Sequence, residues 1–411
     1  MWEEKMLKEL GTIITGNTPP TVNRDYYGDK YKFIKPTDMT EGLRYVFKTE
    51  EMLSELAYER YKKSIIPSNT PCVVTIGSLG KKMCLTNEPS FTNQAVNSIL
   101  VNSENDGRFI YYLMKLMLPT VKHLSSGTAS GRENVSKSSF SNIKVKVPPL
   151  STQQKIADIL SAYDDLIENN NRRIELLEQA AQQLYKEWFV RFRFPGHEKF
   201  HFTKGIPDGW EEIQLGEVVD IRGGKRLPAG KNLTNIPTKY PYIKIKDMTR
   251  NKYLIKNYDF EYVDEETRHE IKNYTTQTND IIISIVGTIG LVNIIDESLN
   301  NASLTENCVK FINIKQVNKN YLYYLLTSEY GKGEINSGTV GATQPKLPLY
   351  NIKRIKLLKP EGYLLTEFDR IVYNFDIETI SLQSQNQNLI KQRDLLLPRL
   401  MSGKLEVSDG K

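Results

Sequence analysis

Two long stretches of the chain alternate apolar and polar residues with the period of an α-helix. The first begins after Pro148-Pro149, with Ser151 as the predicted N-cap and Gln154 completing a capping box, and it extends to about Phe192. Its apolar residues are spaced four and three apart, which is the pattern of a coiled-coil seam. The predicted seam residues are Ile156, Leu160, Tyr163, Ile167, Asn170, Ile174, Leu177, Ala181, Leu184 and Trp188.

The second stretch runs from about Leu364 to Leu400 and carries a weaker version of this pattern. Its seam residues are Leu365, Phe368, Val372, Phe375, Leu382, Asn386, Leu389, Arg393 and Leu396. A single amphipathic helix can pack on its own β-rich domain, but two similar helices in one chain favour a pair. Because the second returns after an entire domain, we predict an antiparallel coiled coil. About 42 residues at a rise of 1.5 Å form a rod of roughly 60 Å.

The remaining sequence is β-rich, with short apolar runs such as 73–76 and 281–286 between loops of Gly, Asn, Ser and Thr. The predicted fold class is therefore α+β, with two tandem mixed α/β domains separated by two long helices. The predicted division is 1–149 for the first domain, 150–194 for the central helix, 195–209 for a linker, 210–360 for the second domain, 361–402 for the C-terminal helix and 403–411 for a flexible tail.

The two β-rich stretches repeat each other in sequence, in the same order, at a shift of about 208 to 213 residues. Trp2 and Gly16 recur as Trp210 and Gly224. Further matched blocks are 38–40 with 247–249, 77–80 with 287–290, 92–96 with 305–309, 109–113 with 321–325, and 126–128 with 337–339. So many blocks in one order indicate an internal pseudo-two-fold repeat. A duplicated binding surface implies a target with two parts.

The composition is typical of a folded protein of two or more domains, with 411 residues, 39% of them hydrophobic and 25% charged. Neither a signal peptide nor an apolar run of about 18 residues is evident, so we expect neither secretion nor membrane insertion. The three cysteines form no CxxC pair, which predicts reduced core thiols and a cytoplasmic protein. A net charge of +6 leaves nucleic-acid binding open.

The sequence His197-Glu198-Lys199-Phe200-His201 is a literal HExxH motif, which on a helix would direct two imidazoles at one Zn²⁺. Here it lies in the linker between Pro195-Gly196 and Gly205, without an evident third ligand. Neither a phosphate-binding GxxxxGK[ST] motif nor a [DNS]PP[YF] methyltransferase motif is present. The pattern therefore predicts a binding protein without catalytic residues, bound metal or cofactor.

Small-residue loops beside Lys, Arg, Ser and Thr occur in both halves, and such loops bring backbone N–H groups close to phosphates. The candidate residues in these loops are Asn17, Thr18, Ser78, Lys81, Thr128, Arg132, Lys225, Arg226, Thr288, Thr339 and Lys346. Aromatic and basic residues alternate nearby, at 31–35 and 240–246. Two domains that recognise different sequences must differ in their base-contacting residues. The candidates at positions where the repeats diverge are Asn23, Arg24, Arg44, Arg250, Asn251 and Lys252.

These blocks, in this order, resemble the DNA specificity (S) subunits of type I restriction-modification enzymes over essentially the whole chain. The resemblance rests on WEEIQLGEVVDIRGG at 210–224, PPLSTQQKIADIL at 148–160 and LLLPRLMSGKLE at 395–406. Two departures are Lys8, where the second repeat has Gly216, and the second helix, which begins with KPEGYLLTEF instead of the PPL motif.

The resemblance implies a non-catalytic subunit whose β-rich domains are target recognition domains, each recognising one half of a bipartite double-stranded DNA site through the major groove. It implies that the helices set the gap and dock two modification (methyltransferase) subunits, which a restriction (motor-nuclease) subunit joins. S-adenosylmethionine, ATP and Mg²⁺ would belong to those partners. Two other functions stay open: a coiled-coil interaction protein that binds a protein or glycan, and a zinc hydrolase that uses the HEKFH motif.

Overall fold

The computed structural model describes residues 2–127, 133–249 and 251–407, and the chain forms two compact units. Unit 1 consists of Met1–Ile167 with Asn388–Lys411, and unit 2 is Glu168–Gln387. Each of the two long helices contributes one part to each unit, so the helices are not separate bodies. No helix in the described ranges is both long and apolar enough to cross a lipid bilayer.

Unit 1 contains small sheets covered by helices. Its strands are β1 (Glu3–Met6), β2 (Gly11–Thr15), β3 (Tyr27–Ile34), β4 (Met52–Leu53), β5 (Pro71–Val74), β6 (Met83–Leu85), β7 (Ser90–Thr92), β8 (Val96–Val101), β9 (Ser126–Gly127), β10 (Glu133–Asn134) and β11 (Lys144–Val147). Its helices are α1 (Leu7–Leu10), α2 (Glu55–Tyr61), α3 (Gly107–His123), α4 (Lys137–Ser141) and the first part of α5 (Leu150–Tyr185). The central sheet has the order β2–β8–β5–β6, and a second sheet has the order β4–β3–β7.

The core of unit 1 lies between the central sheet and α3. The helix begins after Asp106, whose carboxylate accepts hydrogen bonds from the backbone N–H groups of Arg108 and Phe109 at 2.8 and 3.1 Å. Its buried run 109–114 packs against the apolar side of β5 and β8. The predicted strand at 73–76 forms slightly earlier, as β5. Ile76, two residues beyond the end of β5, makes an isolated bridge with Asn134.

Unit 2 is built in the same way. Its strands are β12 (Phe202–Thr203), β13 (Ile206–Pro207), β14 (Glu211–Gln214), β15 (Asp220–Gly223), β16 (Pro241–Ile243), β17 (Tyr253–Leu254), β18 (Glu261–Tyr262), β19 (Ile281–Ser284), β20 (Val292–Ile295), β21 (Ser303–Leu304), β22 (Cys308–Ile312) and β23 (Lys356–Lys359). Its helices are the last part of α5, α6 (Leu215–Val218), α7 (Glu265–Glu270), α8 (Lys319–Thr327), α9 (Glu329–Gly338), α10 (Leu349–Lys353) and the first part of α11 (Gly362–Met401).

The strand topology of unit 1 is repeated in unit 2. The central order β2–β8–β5–β6 corresponds to β15–β22–β19–β20, and β4–β3–β7 corresponds to β18–β16–β21. In both second sheets, one pairing is antiparallel and the other is parallel. Unit 2 extends its central sheet with β17, which is parallel to β20. The sequence repeat is therefore a repeat of one mixed α/β fold, as predicted.

The first long helix begins one residue before the predicted N-cap. The carbonyl of Pro149 accepts the N–H groups of Thr152 and Gln153 at 2.9 and 3.0 Å, so Ser151 lies inside the helix and the prediction of a Ser151 cap is wrong. Regular α-helix ends at Tyr185, and a π-helical turn follows at Lys186–Val190. The second long helix, α11, spans residues close to the predicted ones.

All of the predicted seam residues are removed at least partly from solvent. Thirteen of them are buried: Ile156, Leu160, Ile167, Asn170, Ile174, Ala181, Trp188, Leu365, Phe368, Val372, Leu382, Asn386 and Arg393. The six half-buried ones are Tyr163, Leu177, Leu184, Phe375, Leu389 and Leu396.

The helix pairing is antiparallel in each unit. In unit 1, Ile156 shares a core with Leu400, while Asp164 bonds Arg393. In unit 2, Asn170 Nδ2 donates to Asn386 Oδ1 at 3.0 Å, and Arg173 forms an ion pair with Glu378. In both units, positions later in α5 contact positions earlier in α11.

Candidate nucleic-acid interface

Three loops of unit 1 meet at one end of the central sheet, and we call them loop cluster 1: residues 16–18, 76–81 and 92–95. The N–H of Gly16 donates to the carbonyl of Val96 at 3.1 Å, and the N–H of Asn17 donates to the carbonyl of Thr92 at 2.9 Å. A Cβ atom at Gly16 would lie 2.2 Å from the Thr92 oxygen. Glycine is therefore required for this close approach of two backbones.

A cavity of about 700 Å³ opens beside loop cluster 1. It is lined by Lys35, Pro36, Thr37, Glu50, Ile76, Gly77, Ser78, Asn93, Gln94 and Ala95. The ammonium of Lys35 lies 2.9 Å from Glu50 and 3.1 Å from Glu51. Burial alone would lower the pKa of Lys35, but the bonds to both carboxylates raise it. With this cation already paired, the cavity offers hydroxyl and amide groups that suit the polar edge of a base better than a phosphate.

Unit 2 has an equivalent loop cluster 2, formed by residues 224–226, 286–290 and 305–307. The N–H of Gly224 donates to the carbonyl of Cys308 at 3.0 Å, and the next N–H donates to the carbonyl of Leu304 at 2.8 Å. A Cβ atom at Gly224 would lie 1.9 Å from the oxygen of Thr305. The same steric requirement for glycine therefore holds at matching positions of both units.

The hydrogen-bond register corrects one of the matched sequence blocks. Sequence identity aligns Thr92 with Thr305, but β3 pairs Ile34 with Thr92, whereas β16 pairs Ile243 with Leu304. The N–H of residue 93 bonds the carbonyl of Ile34, and the N–H of Thr305 bonds the carbonyl of Ile243. Thr92 thus corresponds to Leu304, one residue earlier than the sequence match.

The corrected register places two side-chain pairs at equivalent positions. In cluster 1, Thr18 Oγ1 donates to Gln94 Oε1 at 2.5 Å. In cluster 2, Arg226 Nε donates to Glu306 Oε1 at 2.8 Å. Burial alone would raise the pKa of Glu306, but the hydrogen bond from Arg226 lowers it, so the carboxylate is ionised. Gln94 and Glu306 were not among the sequence candidates, which came from the small-residue loops and from positions where the repeats diverge.

Most of the other candidates for DNA contact lie on the surface. The exposed residues are Asn17, Arg24, Ser78, Lys81, Lys225, Arg226, Thr288 and Lys346, and the half-buried ones are Thr18, Asn23, Asn251 and Thr339. The structure brings Asn17, Thr18, Ser78 and Lys81 together in cluster 1, and Lys225, Arg226 and Thr288 in cluster 2, with Lys346 bridging to Val286.

Some candidates lie outside the clusters. Asn23 and Arg24 belong to a 3₁₀ turn before β3, in which the Asn23 side chain accepts from the N–H of Asp25 at 3.2 Å. The hydroxyl of Thr339 donates to the carbonyl of Ile335 at 2.8 Å. Thr128, Arg132 and Arg250 lie outside the described residues.

Arg44 and Lys252 are buried, so their side chains are not available to DNA. Arg44 is 4% exposed and is paired with Asp165 on α5. Lys252 is 1% exposed, and its ammonium lies 2.6 Å from Asp376 on α11. Arg44 and Lys252 occupy equivalent positions, since the carbonyl of Arg44 accepts from Leu85 in β6 and that of Lys252 accepts from Ile294 in β20. We therefore correct the prediction for both residues: these cations attach a β-rich domain to a helix.

Asp164 and Asp376 occupy the same position of the repeat, and each is the centre of a buried polar group. Asp164 accepts from the hydroxyl of Tyr112 at 2.6 Å and from Arg393. Asp376 accepts from Lys252 and, at 2.9 Å, from the hydroxyl of Tyr253. These aspartates were missed because a carboxylate in a helix is usually solvent-exposed.

The basic and aromatic runs beside the loops are largely part of the sheets. Phe33 and Tyr242 are buried, and the ammonium of Lys32 lies 2.6 Å from Glu88. The HEKFH motif lies in a 3₁₀ turn, His197–Lys199, and in the loop after it, rather than on a long helix. Within the described ranges, no group of three or more His, Cys, Asp or Glu side chains is placed to hold a metal ion. The three cysteines are buried and free.

Residues 1–179 and 207–392 match the protein family described as the type I restriction modification DNA specificity domain. The type I restriction enzyme MjaIX specificity subunit of Methanocaldococcus jannaschii is 28% identical over 424 residues, which cover 99% of this chain and 94% of that one. The HindI specificity subunit of Haemophilus influenzae is 36% identical over 149 residues, covering 36% of this chain and 32% of the relative.

Among solved structures, the S subunit of a type-I restriction-modification system from M. genitalium aligns with a TM-score of 0.57 and 19% identity. The alignment covers 99% of this chain and 97% of that one. The two chains therefore share a fold along their whole lengths.

Proposed function

The chain belongs to the type I restriction-modification DNA specificity family, whose members are non-catalytic DNA recognition subunits, and we propose that each of its units recognises one half of a bipartite duplex site. One observation carries this proposal. A single fold occurs twice, with its loop clusters built on the same glycine-dependent backbone but carrying different side chains. Two domains that recognise different half-sites require the same backbone arrangement with different side chains on its surface.

We assign the DNA contacts to the exposed and half-buried residues of the clusters and to the loops beside them. The candidates are Asn17, Thr18, Asn23, Arg24, Ser78, Lys81, Lys225, Arg226, Asn251, Thr288, Thr339 and Lys346. The lysines and arginines supply the sequence-independent attraction to phosphates, and arginines, amides and hydroxyls that reach a groove supply hydrogen bonds to base edges.

The helix pair sets the gap between the half-sites and docks two methyltransferase subunits. A motor-nuclease subunit joins that complex in the cytoplasm, and S-adenosylmethionine, ATP and Mg²⁺ bind to the partners. Joining two modest recognition surfaces through a stiff spacer increases specificity, because binding at one end raises the effective concentration at the other only when the gap fits.

The test is selection of bound duplexes from a random library by the chain co-purified with its methyltransferase subunits. Two short motifs separated by a fixed, unspecified gap are the expected result. Binding to the selected site should weaken steeply as salt rises, since phosphate contacts release counterions. An intact, folded complex that enriches no sequence would overturn the proposal and favour a coiled-coil protein that binds a protein or glycan.

A further inference from the structure

The pairs Thr18–Gln94 and Arg226–Glu306 occupy one position of the repeated fold but differ completely in chemistry. In unit 1 the pair connects the loop after β2 to the turn before β8, and in unit 2 it connects the loop after β15 to the turn before β22. The backbones beneath them are in direct contact at Gly16 and Gly224, and each contact is held by two equivalent backbone hydrogen bonds. A difference in side chains on equivalent backbones is suited to determining specificity.

In unit 2, Arg226 is the member of the pair that is presented to a ligand. Both carboxylate oxygens of Glu306 are engaged, since Oε1 accepts from Arg226 Nε and Oε2 accepts from Thr305 Oγ1 at 3.0 Å. The Arg226 side chain is 81% exposed, whereas that of Glu306 is 31% exposed. A guanidinium bonded through Nε directs Nη1 and Nη2 away from its partner as two parallel donors. Two such donors match the O6 and N7 acceptors of guanine.

In unit 1, the exposed member is Gln94, on the opposite loop, whereas Thr18 is half-buried. Its Oε1 accepts from the Thr18 hydroxyl, which orients the amide plane. The Nε2 group can still donate, and Oε1 can accept a second hydrogen bond. One donor beside one acceptor matches N7 and the N6 amino group of adenine. Gln94 also lines the cavity of about 700 Å³, which gives a base edge room to approach.

We propose, building on the bipartite recognition described above, that Arg226 recognises a guanine in one half-site and Gln94 recognises an adenine in the other. Glu306 and Thr18 are positioning residues that orient these two readers. In each half-site, the base preferred at one position is therefore set by which two side chains the loop cluster carries.

The test is a double exchange that gives unit 2 the pair found in unit 1, Arg226→Thr with Glu306→Gln. Bound duplexes are selected with the complex of the chain and its methyltransferase subunits. One position of one half-site should change from G·C to A·T, with a preference of roughly 5- to 150-fold, the range for one bidentate contact. The other half-site and the gap should stay unchanged, which also shows that the variant is folded.

A conservative variant separates base recognition from phosphate contact. Arg226→Lys keeps the charge but loses the planar pair of parallel donors, so it should weaken the guanine preference while binding to the phosphates persists. The matched control is Lys356→Thr with Glu212→Gln, which removes another exposed ion pair of unit 2, of 2.7 Å, and should change no base preference.

The inference is overturned if the exchanged variant selects the same bases as the parent chain, or if Arg226→Lys retains the full guanine preference. Failure of the bipartite function itself has a different signature, because the parent complex would then select no two-part site at all. A parent complex that selects two half-sites, neither containing a G·C pair that depends on Arg226, also overturns the inference.

Discussion

The ammonium of Lys252 lies 2.6 Å from Oδ1 of Asp376, and both side chains are almost completely removed from solvent. Burial lowers the pKa of Lys252 to about 8, although the Asp376 carboxylate opposes that shift. Lys252 belongs to the β-rich part of unit 2 and Asp376 to α11. The equivalent cation of unit 1, Arg44, bonds Asp165 on α5. Each recognition domain thus contributes a buried cation to an ion pair with a helix, although the helix carboxylate is buried in unit 2 and exposed in unit 1.

Removing one partner of the buried pair should destabilise unit 2 strongly. Lys252→Met leaves the Asp376 carboxylate buried without its cation, which typically costs about 3–5 kcal/mol. Denaturant unfolding of the purified chain, followed by circular dichroism, measures the loss. Lys356→Met is the control, because its pair with Glu212 is exposed and should contribute little. Equal losses in the two variants would refute the structural role of Lys252.

The stability of unit 1 should depend on pH through Lys115. Its Nζ is buried and, among the described residues, has no hydrogen-bond partner. Burial, reinforced by Arg393, lowers the pKa of Lys115 to about 8, whereas a lysine in an unfolded chain has a pKa of about 10.4. The unfolded state therefore binds more protons between these values, and the free energy of unfolding rises with pH from about 8 to about 10.

Lys115→Met should remove this rise, which is on the order of 2–3 kcal/mol. The variant should also be more stable than the parent chain at neutral pH, because it no longer buries a charged group. Urea titrations across the alkaline range measure the effect. Lys122→Met, on an exposed position of the same helix, is the matched control. A rise with pH that persists unchanged in Lys115→Met would contradict the assignment.

The polar pair Asn170–Asn386 should favour one alignment of the helices at a cost in stability. Asn386 also donates to Asn171 at 2.8 Å, so the buried amides are satisfied only in this alignment. Asn170→Leu with Asn386→Leu should raise the thermal midpoint and allow non-native self-association. Asn170→Leu alone should destabilise by roughly 1–3 kcal/mol, since it removes the donor to the buried Oδ1 of Asn386. Scanning calorimetry with light scattering tests both effects, and a strictly monomeric double variant would argue against the alignment role.

Lengthening both helices by one heptad should lengthen the preferred gap in the DNA site. Seven residues inserted after Ile167 and seven after Gln387 keep the seam in phase, because they add two turns of 3.5 residues. The added length of roughly 10 Å corresponds to about three base pairs. Insertion into one helix alone should disturb folding, because the seam partners are then offset. An unchanged gap in a well-folded double insertion would count against the spacer role.

The HEKFH motif should bind no stoichiometric zinc. Its first histidine lies in a 3₁₀ turn and bonds the carbonyl of Phe194 at 2.9 Å through Nδ1, so the two imidazoles are not presented on one helix face. Metal analysis of the purified chain and of His201→Ala checks this. Zinc that is present at one equivalent and lost in the variant would revive the hydrolase alternative.

Sequence periodicity located both long helices because their buried faces repeat at the helical period. It could not show that a charge is buried. Arg44 and Lys252 resembled DNA contacts since they are basic and lie where the repeats diverge, yet their partners lie 121 and 124 residues away in the chain. Identity also misaligned Thr92 with Thr305, because a match of letters carries no hydrogen-bond register, and a slip of one residue reverses the face of a strand.

The amino-acid sequence alone determined the α+β class, the internal repeat, the two seamed helices and the resemblance to the specificity family. These properties follow from local periodicity and from the order of short motifs, so they can be predicted without knowing which distant residues are in contact. The division of each helix between two units, the duplicated Asp164 and Asp376 groups and the equivalence of Gln94 with Glu306 were decided only by the tertiary structure. They depend on which distant residues meet and in which register, and only the packed chain fixes that geometry.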